Sequence, residues 1–199
     1  TTATGSIFGF LIARTAYGSA LMAPMFIIYS FAYGLAAFLI VQGSMYAWNK
    51  LALDARILAR MKNLLAVFVG AALYFTAVMH LTSLYFAKQD AYERFLLLDG
   101  GIYTAAFWLG QVVIGGILPL ALIFAPGATQ TRVIAASVLV VLGGLAQMFV
   151  TIVGGQAFPL EIFPGYALSS SFQDGIVNGY SPVIGEFALG FDGIALAFL

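Results

Sequence analysis

The sequence predicts an all-α protein, a polytopic bundle of transmembrane helices, on three observations. Hydrophobic residues make up 62% of the 199 residues, charged residues only 8%, and the mean hydropathy is +1.02. A soluble domain carries roughly 25% charged residues, so too few are present to cover a water-facing surface. Apolar runs of about twenty residues recur, each long enough to cross a hydrocarbon core of about 30 Å as a helix. Because strand-type alternation is absent and helices satisfy their own backbone in lipid, we expect helical spans.

About five spans are visible in a single transmembrane domain, and the last of them is incomplete. The predicted spans cover residues of about 21–48, 63–86, 100–124, 133–155 and 183–199. The chain starts without a methionine and ends inside an apolar run, so we expect it to be a portion of a longer chain.

The basic residues predict the orientation of the bundle. The link between the first two spans is strongly basic, with Lys50, Arg56, Arg60 and Lys62 against Asp54. The link between the third and fourth spans contains Arg132. The intervening link is charge-balanced, with Lys88, Asp90, Glu93 and Arg94. Because positive residues concentrate in cytoplasmic loops, the two basic links are expected on the cytoplasmic side.

Residues 156–181, between the fourth and fifth spans, are too polar to cross a membrane. Pro159, Pro164 and Gly165 prevent one continuous helix there. Aromatic residues such as Phe163 and Tyr166 suit the membrane interface. We therefore predict an extracytoplasmic cap that lies along the interface or docks a partner.

His80 is the single histidine of the sequence, about six residues from the end of the second span. Thr76 and Ser83 lie at i−4 and i+3, on the same helix face. Ionisable residues at membrane depth are costly and are functional candidates. A histidine there could hydrogen-bond a quinone carbonyl and carry its proton, because its charge changes near neutral pH. The alternative is an inter-helix hydrogen bond that only orients two spans.

A second stripe follows the third span, where Asp99, Tyr103, Phe107 and Gln111 recur every four residues. Asp99 is expected at the start of that helix, where the N-terminal dipole favours a carboxylate. A proton relay, or a pairing of Asp99 with His80 or Arg14, is the functional alternative.

The fourth span carries a similar polar stripe. Its glycines are expected to have no chemical role. Gln147 and Thr151 lie near Gly143 and Gly144. Small residues at such positions let helices approach closely, so these glycines predict a packing contact.

Three further ionisable residues are candidates for a proton path: Arg14, Glu186 and Asp192. Glu186 also suits the first turn of the last span. Asp192 lies deeper and has no oppositely charged neighbour in the sequence, and Arg14 is a candidate partner for one of the two acids.

The composition excludes several classes of site. The sequence has no cysteine and one histidine, so we expect that this chain ligates neither an iron–sulfur cluster nor a bis-histidine haem. No metal-ligand cluster, phosphate-binding glycine loop or nucleophile–base pair at a known spacing is present. Basic residues are too few for a nucleic-acid surface.

Several strings resemble the NrfD/PsrC family of polysulfide reductase membrane subunits, and in particular its DsrP-type members from sulfur metabolism. They lie at residues 5–14, 19–24 and 79–86, and the most specific is the proline-rich loop at 154–175. The resemblance implies that the chain is the C-terminal part of a subunit of about eight to ten helices. It also implies a multi-pass protein of the bacterial or archaeal cytoplasmic (inner) membrane.

The resemblance implies a quinone- or quinol-interacting subunit of a respiratory redox complex, not catalytic alone. Such a subunit exchanges electrons between menaquinone or ubiquinone and an extracytoplasmic, ferredoxin-like iron–sulfur subunit, with further redox subunits beyond it. Proton movement would accompany this exchange, and His80, Asp99 and Tyr103 would border the quinone pocket or a proton route. Two alternatives stay open, a transporter or ion-conducting subunit and a purely structural anchor. The absence of an inverted repeat argues against a transporter.

Overall fold

The computed structural model describes residues 2–11, 16–49, 51, 54–86, 89–125 and 129–158. Within these ranges the structure contains six helices and no strand, which confirms the all-α prediction. The helices are α1 (Thr2–Phe10), α2 (Met22–Trp48), α3 (Ala55–Tyr85), α4 (Asp90–Arg94), α5 (Ile102–Phe124) and α6 (Gln130–Ala157).

The four long helices, α2, α3, α5 and α6, are each long and apolar enough to cross a membrane. Each packs against its neighbours around a ring, α2 on α3, α3 on α5, α5 on α6 and α6 on α2, while α1 packs on α2. Their contacts show that consecutive long helices run in opposite directions. The end of the ring where α3 begins carries Arg56, Arg60, Lys62 and Arg132 and is called the basic end; the other is called the His80 end.

The helix bounds follow the predicted spans with one larger difference, at the start of α3. The helix begins at Ala55, eight residues before the predicted span at 63–86. Asp54 is its N-cap and accepts a hydrogen bond from the Arg56 backbone N–H at 2.9 Å. The mostly exposed turns at 55–64 extend the helix beyond its apolar part. The predicted fifth span at 183–199, and all of the predicted cap except residues 156–158, lie outside the described residues.

The Asp54 cap gives a testable stability effect. Asp54→Ala leaves a first-turn N–H without its acceptor, so we expect the free energy of unfolding to fall by about 1 kcal/mol. The measurement is thermal unfolding of the purified protein in detergent. Asp54→Asn keeps a side-chain oxygen and should retain most of the stability. Equal melting temperatures for Asp54→Ala and the unmodified protein would contradict a stabilising cap.

The half of the ring near the basic end has an apolar core. Its buried members are Ala36, Leu39, Leu65, Ala66, Val69, Ile123, Val133, Ala136 and Val140. Burial of such side chains stabilises through close packing and the removal of voids. This set is called the apolar core below.

Glycines bring α5 and α6 together, as predicted for the fourth span. A Cβ added to Gly115 would lie 2.7 Å from the Cα of Gly143, which is closer than real side chains approach. On the other side of α6, Gly144 faces the ring of Tyr33, and a Cβ there would lie 2.9 Å from it. The backbones therefore touch where a side chain would hold them apart.

Three π-helical segments interrupt the regular helices. They are Phe95–Asp99 after α4, Ala106–Ile117 within α5 and Val150–Gly154 within α6. Such segments close i→i+5 hydrogen bonds and occur frequently at functional sites. The first and third lie at the His80 end, and the second begins there.

Candidate functional site

A buried pair of a histidine and a carboxylate lies at the His80 end of the ring. His80 on α3 places its Nδ1 2.7 Å from Oε2 of Glu93 on α4. The side chains are 12% and 1% exposed, respectively. A carboxylate removed from water is costly unless it is paired and hydrogen-bonded. His80 meets that need, and the short distance is typical of a charge-assisted hydrogen bond.

The local fold places Glu93 against His80. After α3, the Gln89 N–H donates to the Phe86 carbonyl at 2.8 Å, and the chain turns back into α4. One turn later Glu93 faces inward together with Tyr92. The Phe107 ring meets the His80 ring edge-on, with centroids 4.7 Å apart, and restricts its rotation. The imidazole is thus fixed from two sides.

A second set of polar side chains joins α2, α3 and α5, and is called the central polar group. Gln111 Nε2 donates to the Tyr29 hydroxyl at 3.0 Å. The Tyr29 hydroxyl also bonds Oγ1 of Thr76, and Thr76 donates to the Ala72 carbonyl at 2.8 Å. All three side chains are buried. Each hydrogen bond made by a buried hydroxyl or amide group lowers the free-energy cost of burying these polar atoms among the helices.

A third set surrounds the π-helical segment of α6. Tyr17, which precedes α2, donates its hydroxyl proton to the Thr151 carbonyl at 2.9 Å. Gln147 Nε2 donates to Thr151 Oγ1, also at 2.9 Å. Gln147 is 1% exposed, and its Oε1 has no hydrogen-bond partner among the described residues.

A small cavity lies between these groups. His80, the central polar group, Tyr17, Gln147 and Thr151 all line it. Its volume of about 20 Å³ is room for about one water molecule. A quinone ring of six carbons and two oxygens does not fit into it. The ring of any bound quinone must therefore lie elsewhere.

A second cavity of similar size, about 20 Å³, lies further toward the basic end. It shares the central polar group with the first, and its other walls include Val69, Val140 and Gly143. Two of these are members of the apolar core. The polar side chains that line the two cavities therefore extend from the His80 end only to about the middle of the bundle.

The predicted site residues do not all lie together in the structure. His80 is central, and Thr76 and Ser83 are buried on its helix face, as predicted. Asp99 is exposed and ends the π-helical segment before α5, so it lies outside the first turn of α5 that starts at Ile102. The carboxylate at His80 Nδ1 belongs to Glu93 and not to Asp99.

Tyr103 lies within an aromatic cluster and does not line the cavity beside His80. It is 1% exposed, and its ring contacts those of Phe95 and Phe149 at centroid distances of 5.8 and 5.7 Å. Its hydroxyl has no partner among the residues that the structure describes. The predicted proton-path residues, Arg14, Glu186 and Asp192, lie outside the described ranges.

Glu93 was missed because the sequence interpretation grouped it with the balanced charges of a link. The available signal was its spacing: Tyr92, Glu93 and Leu96 occupy one face of a helix and are all buried. Burial, and secondly the neighbouring Glu93 carboxylate, raise the pKa of Tyr92 well above its usual value. The Tyr92 hydroxyl therefore stays protonated beside the pair.

Comparisons with known proteins identify the family of the chain. The family model described as polysulphide reductase, NrfD, matches residues 1–160. The Hdr-like menaquinol oxidoreductase integral membrane subunit of Archaeoglobus fulgidus is similar, with 29% identity over 204 residues. That alignment covers 98% of this chain and 50% of the relative, so the chain spans about half the length of the curated relative it matches. No solved structure gives a significant match.

Proposed function

Because the chain belongs to the NrfD family of polysulphide reductase membrane proteins, we propose that it is a quinol-interacting membrane subunit of a multi-subunit redox complex. The observation that carries this proposal is the buried pair of His80 and Glu93. The name of the Archaeoglobus relative favours menaquinone over ubiquinone.

The pair has the chemistry of a proton acceptor. A quinol supplies two electrons and two protons when it is oxidised. Glu93 holds Nδ1 of His80, which orients the ring and leaves Nε2 for a second proton. The carboxylate stabilises the imidazolium that results, as an oriented acid does for a catalytic histidine. His80 thus acts as the base and Glu93 as its positioning residue.

The Tyr103 hydroxyl is suited to donate a hydrogen bond to a quinone carbonyl. A buried hydroxyl without a partner costs about 1–3 kcal/mol, and Tyr103 presents such a hydroxyl among aromatic rings. We propose that it donates a hydrogen bond to the ring oxygen of the quinone. Asp99, exposed at the same end, is proposed to pass protons to water. Arg14, Glu186 and Asp192 remain predictions for the rest of that route.

We propose that the electrons leave this chain through a neighbouring subunit. The sequence has no cysteine and one histidine, so it offers no ligands for a chain of redox centres. We propose that a ferredoxin-like iron–sulfur subunit docks at the His80 end and connects to further redox subunits. The basic residues at the other end support an extracytoplasmic position for the His80 end, in a cytoplasmic membrane. The predicted cap follows α6 at that same end.

Binding of a fluorescent quinone analogue to the intact complex in membranes tests the proposal. We expect saturable quenching, and Tyr103→Phe should weaken binding by about tenfold, the effect of one lost hydrogen bond. Tyr74→Phe is the matched control, because Tyr74 is 65% exposed on the outside of the ring.

Three results would count against the proposal or a part of it. Absence of saturable quenching by the intact complex would contradict a quinone-binding subunit and favour a structural anchor. Unchanged affinity in Tyr103→Phe would remove Tyr103 from the site while leaving the family assignment in place. Purification without any iron–sulfur subunit would contradict the proposed partner.

A further inference from the structure

A residue that lines the cavity beside His80 has an acceptor without a partner among the described residues. Gln147 contributes its Nε2 to Thr151, while its Oε1 is buried and has no partner among the described residues. Gln147 and His80 line the same cavity, although they belong to α6 and α3. An amide oxygen left without a hydrogen bond in such a place would cost about 1–3 kcal/mol.

The size and lining of the cavity suit a single water molecule. A volume of about 20 Å³ exceeds the 10–15 Å³ or so that one water needs, and a buried water typically makes about three hydrogen bonds. Gln147, His80 and Tyr29, all with polar side-chain atoms, line the space. An apolar cavity of the same size would stay dry, but this one has polar partners on several sides.

We propose that this cavity is a binding site for one ordered water molecule that connects the His80 ring to Gln147. The water donates to Gln147 Oε1 in both states of His80. Toward the ring it donates to Nε2 when the imidazole is neutral, and it accepts from Nε2–H when the imidazole is charged. The protein does not have to rearrange between the two states.

This site gives Gln147 the role of a positioning residue that acts through water. Glu93 stabilises the charged ring at Nδ1, and the water does so at the other nitrogen. The other titratable groups that line the cavity, in the described part of the chain, are Tyr17, Tyr29 and Tyr92. The source of the proton, a quinol, rests on the proposed function; the water site does not.

Nuclear magnetic resonance of the full protein in membranes, with ring-¹⁵N histidine, tests the site without quinone. The His80 signal is assigned by its loss in His80→Gln. We expect magnetisation to pass from water protons to the His80 ring nitrogens. Gln147→Leu and Gln147→Met remove Oε1, and most of that transfer should be lost in both.

The matched control is Gln42→Leu. Gln42 Oε1 is also buried without a partner among the described residues, but Gln42 lies near the basic end. It should leave the transfer to His80 unchanged. Transfer that persists in both folded Gln147 variants, or that is absent in the unmodified protein, would overturn the proposal. A failure of quinone binding would leave this result as it is, so the two proposals fail separately.

Discussion

Glu93→Gln is expected to lower quinol oxidation by the complex by about a hundredfold or more, the range of a lost general acid–base contribution. The amide keeps the size of the side chain and can still hydrogen-bond His80, so the fold should survive. It removes the negative charge that stabilises a protonated ring at 2.7 Å. The measurement is the steady-state rate with a short-chain quinol, together with the melting temperature.

Asp90→Asn is the matched control for this change. Asp90 lies on the same short helix, and its contact with Arg94 at 3.2 Å is between largely exposed side chains. Exposed pairs of this kind contribute little, so the rate should stay near that of the unmodified protein. His80→Gln should reproduce the loss caused by Glu93→Gln. Full activity in either His80→Gln or Glu93→Gln would show that the pair only orients α3 and α4.

Gly143→Val is expected to destabilise the bundle by about 3 kcal/mol or more, the upper range for overpacking. The new side chain would meet the backbone of Gly115, which cannot move aside as a flexible side chain can. The helices α5 and α6 would have to separate. Their separation would also disrupt the contacts that surround both cavities. The yield of monodisperse protein and its melting temperature in detergent measure the effect.

Gly70→Ala is the control for the glycine prediction. A Cβ at Gly70 meets nothing within 4 Å, so the substitution should be neutral or slightly stabilising, since alanine favours a helix more than glycine does. If Gly143→Val were as stable as Gly70→Ala, the close approach of α5 and α6 would not occur in the protein.

The helices could be predicted because composition and periodicity are properties of each segment alone. Apolar length predicted α2, α5 and α6 to within a few residues, and the glycines of α6 predicted its close contact. The start of α3 was placed late because its first turns are polar. Hydropathy detects only the part of a helix that lies in lipid.

The site could be predicted only in part, because its key partner depends on tertiary folding. His80 stood out as an ionisable residue inside an apolar span. Glu93 did not, because a link with two positive and two negative charges has the composition of a solvated loop. Only the turn after α3 and the burial of α4 make this carboxylate a partner of His80. The spacing of Asp99 in the sequence suggested a partner for His80 more strongly than that of Glu93 did. In the structure, however, Asp99 is the last residue of a π-helical segment and its side chain is exposed.

The contrast between the polar half of the bundle and its apolar core has an electrical consequence. His80 lies five residues before the end of α3, or about 7.5 Å at 1.5 Å per residue, which is about a quarter of a 30 Å hydrocarbon layer. A charge that crosses the whole membrane gains about 2.3 kcal/mol per 100 mV, so a proton that reaches His80 from the nearer side experiences only about 0.6 kcal/mol. Most of the membrane voltage falls across the apolar core, which acts as an insulator. Proton exchange at His80 should therefore change by no more than about threefold when 100 mV is applied across the membrane.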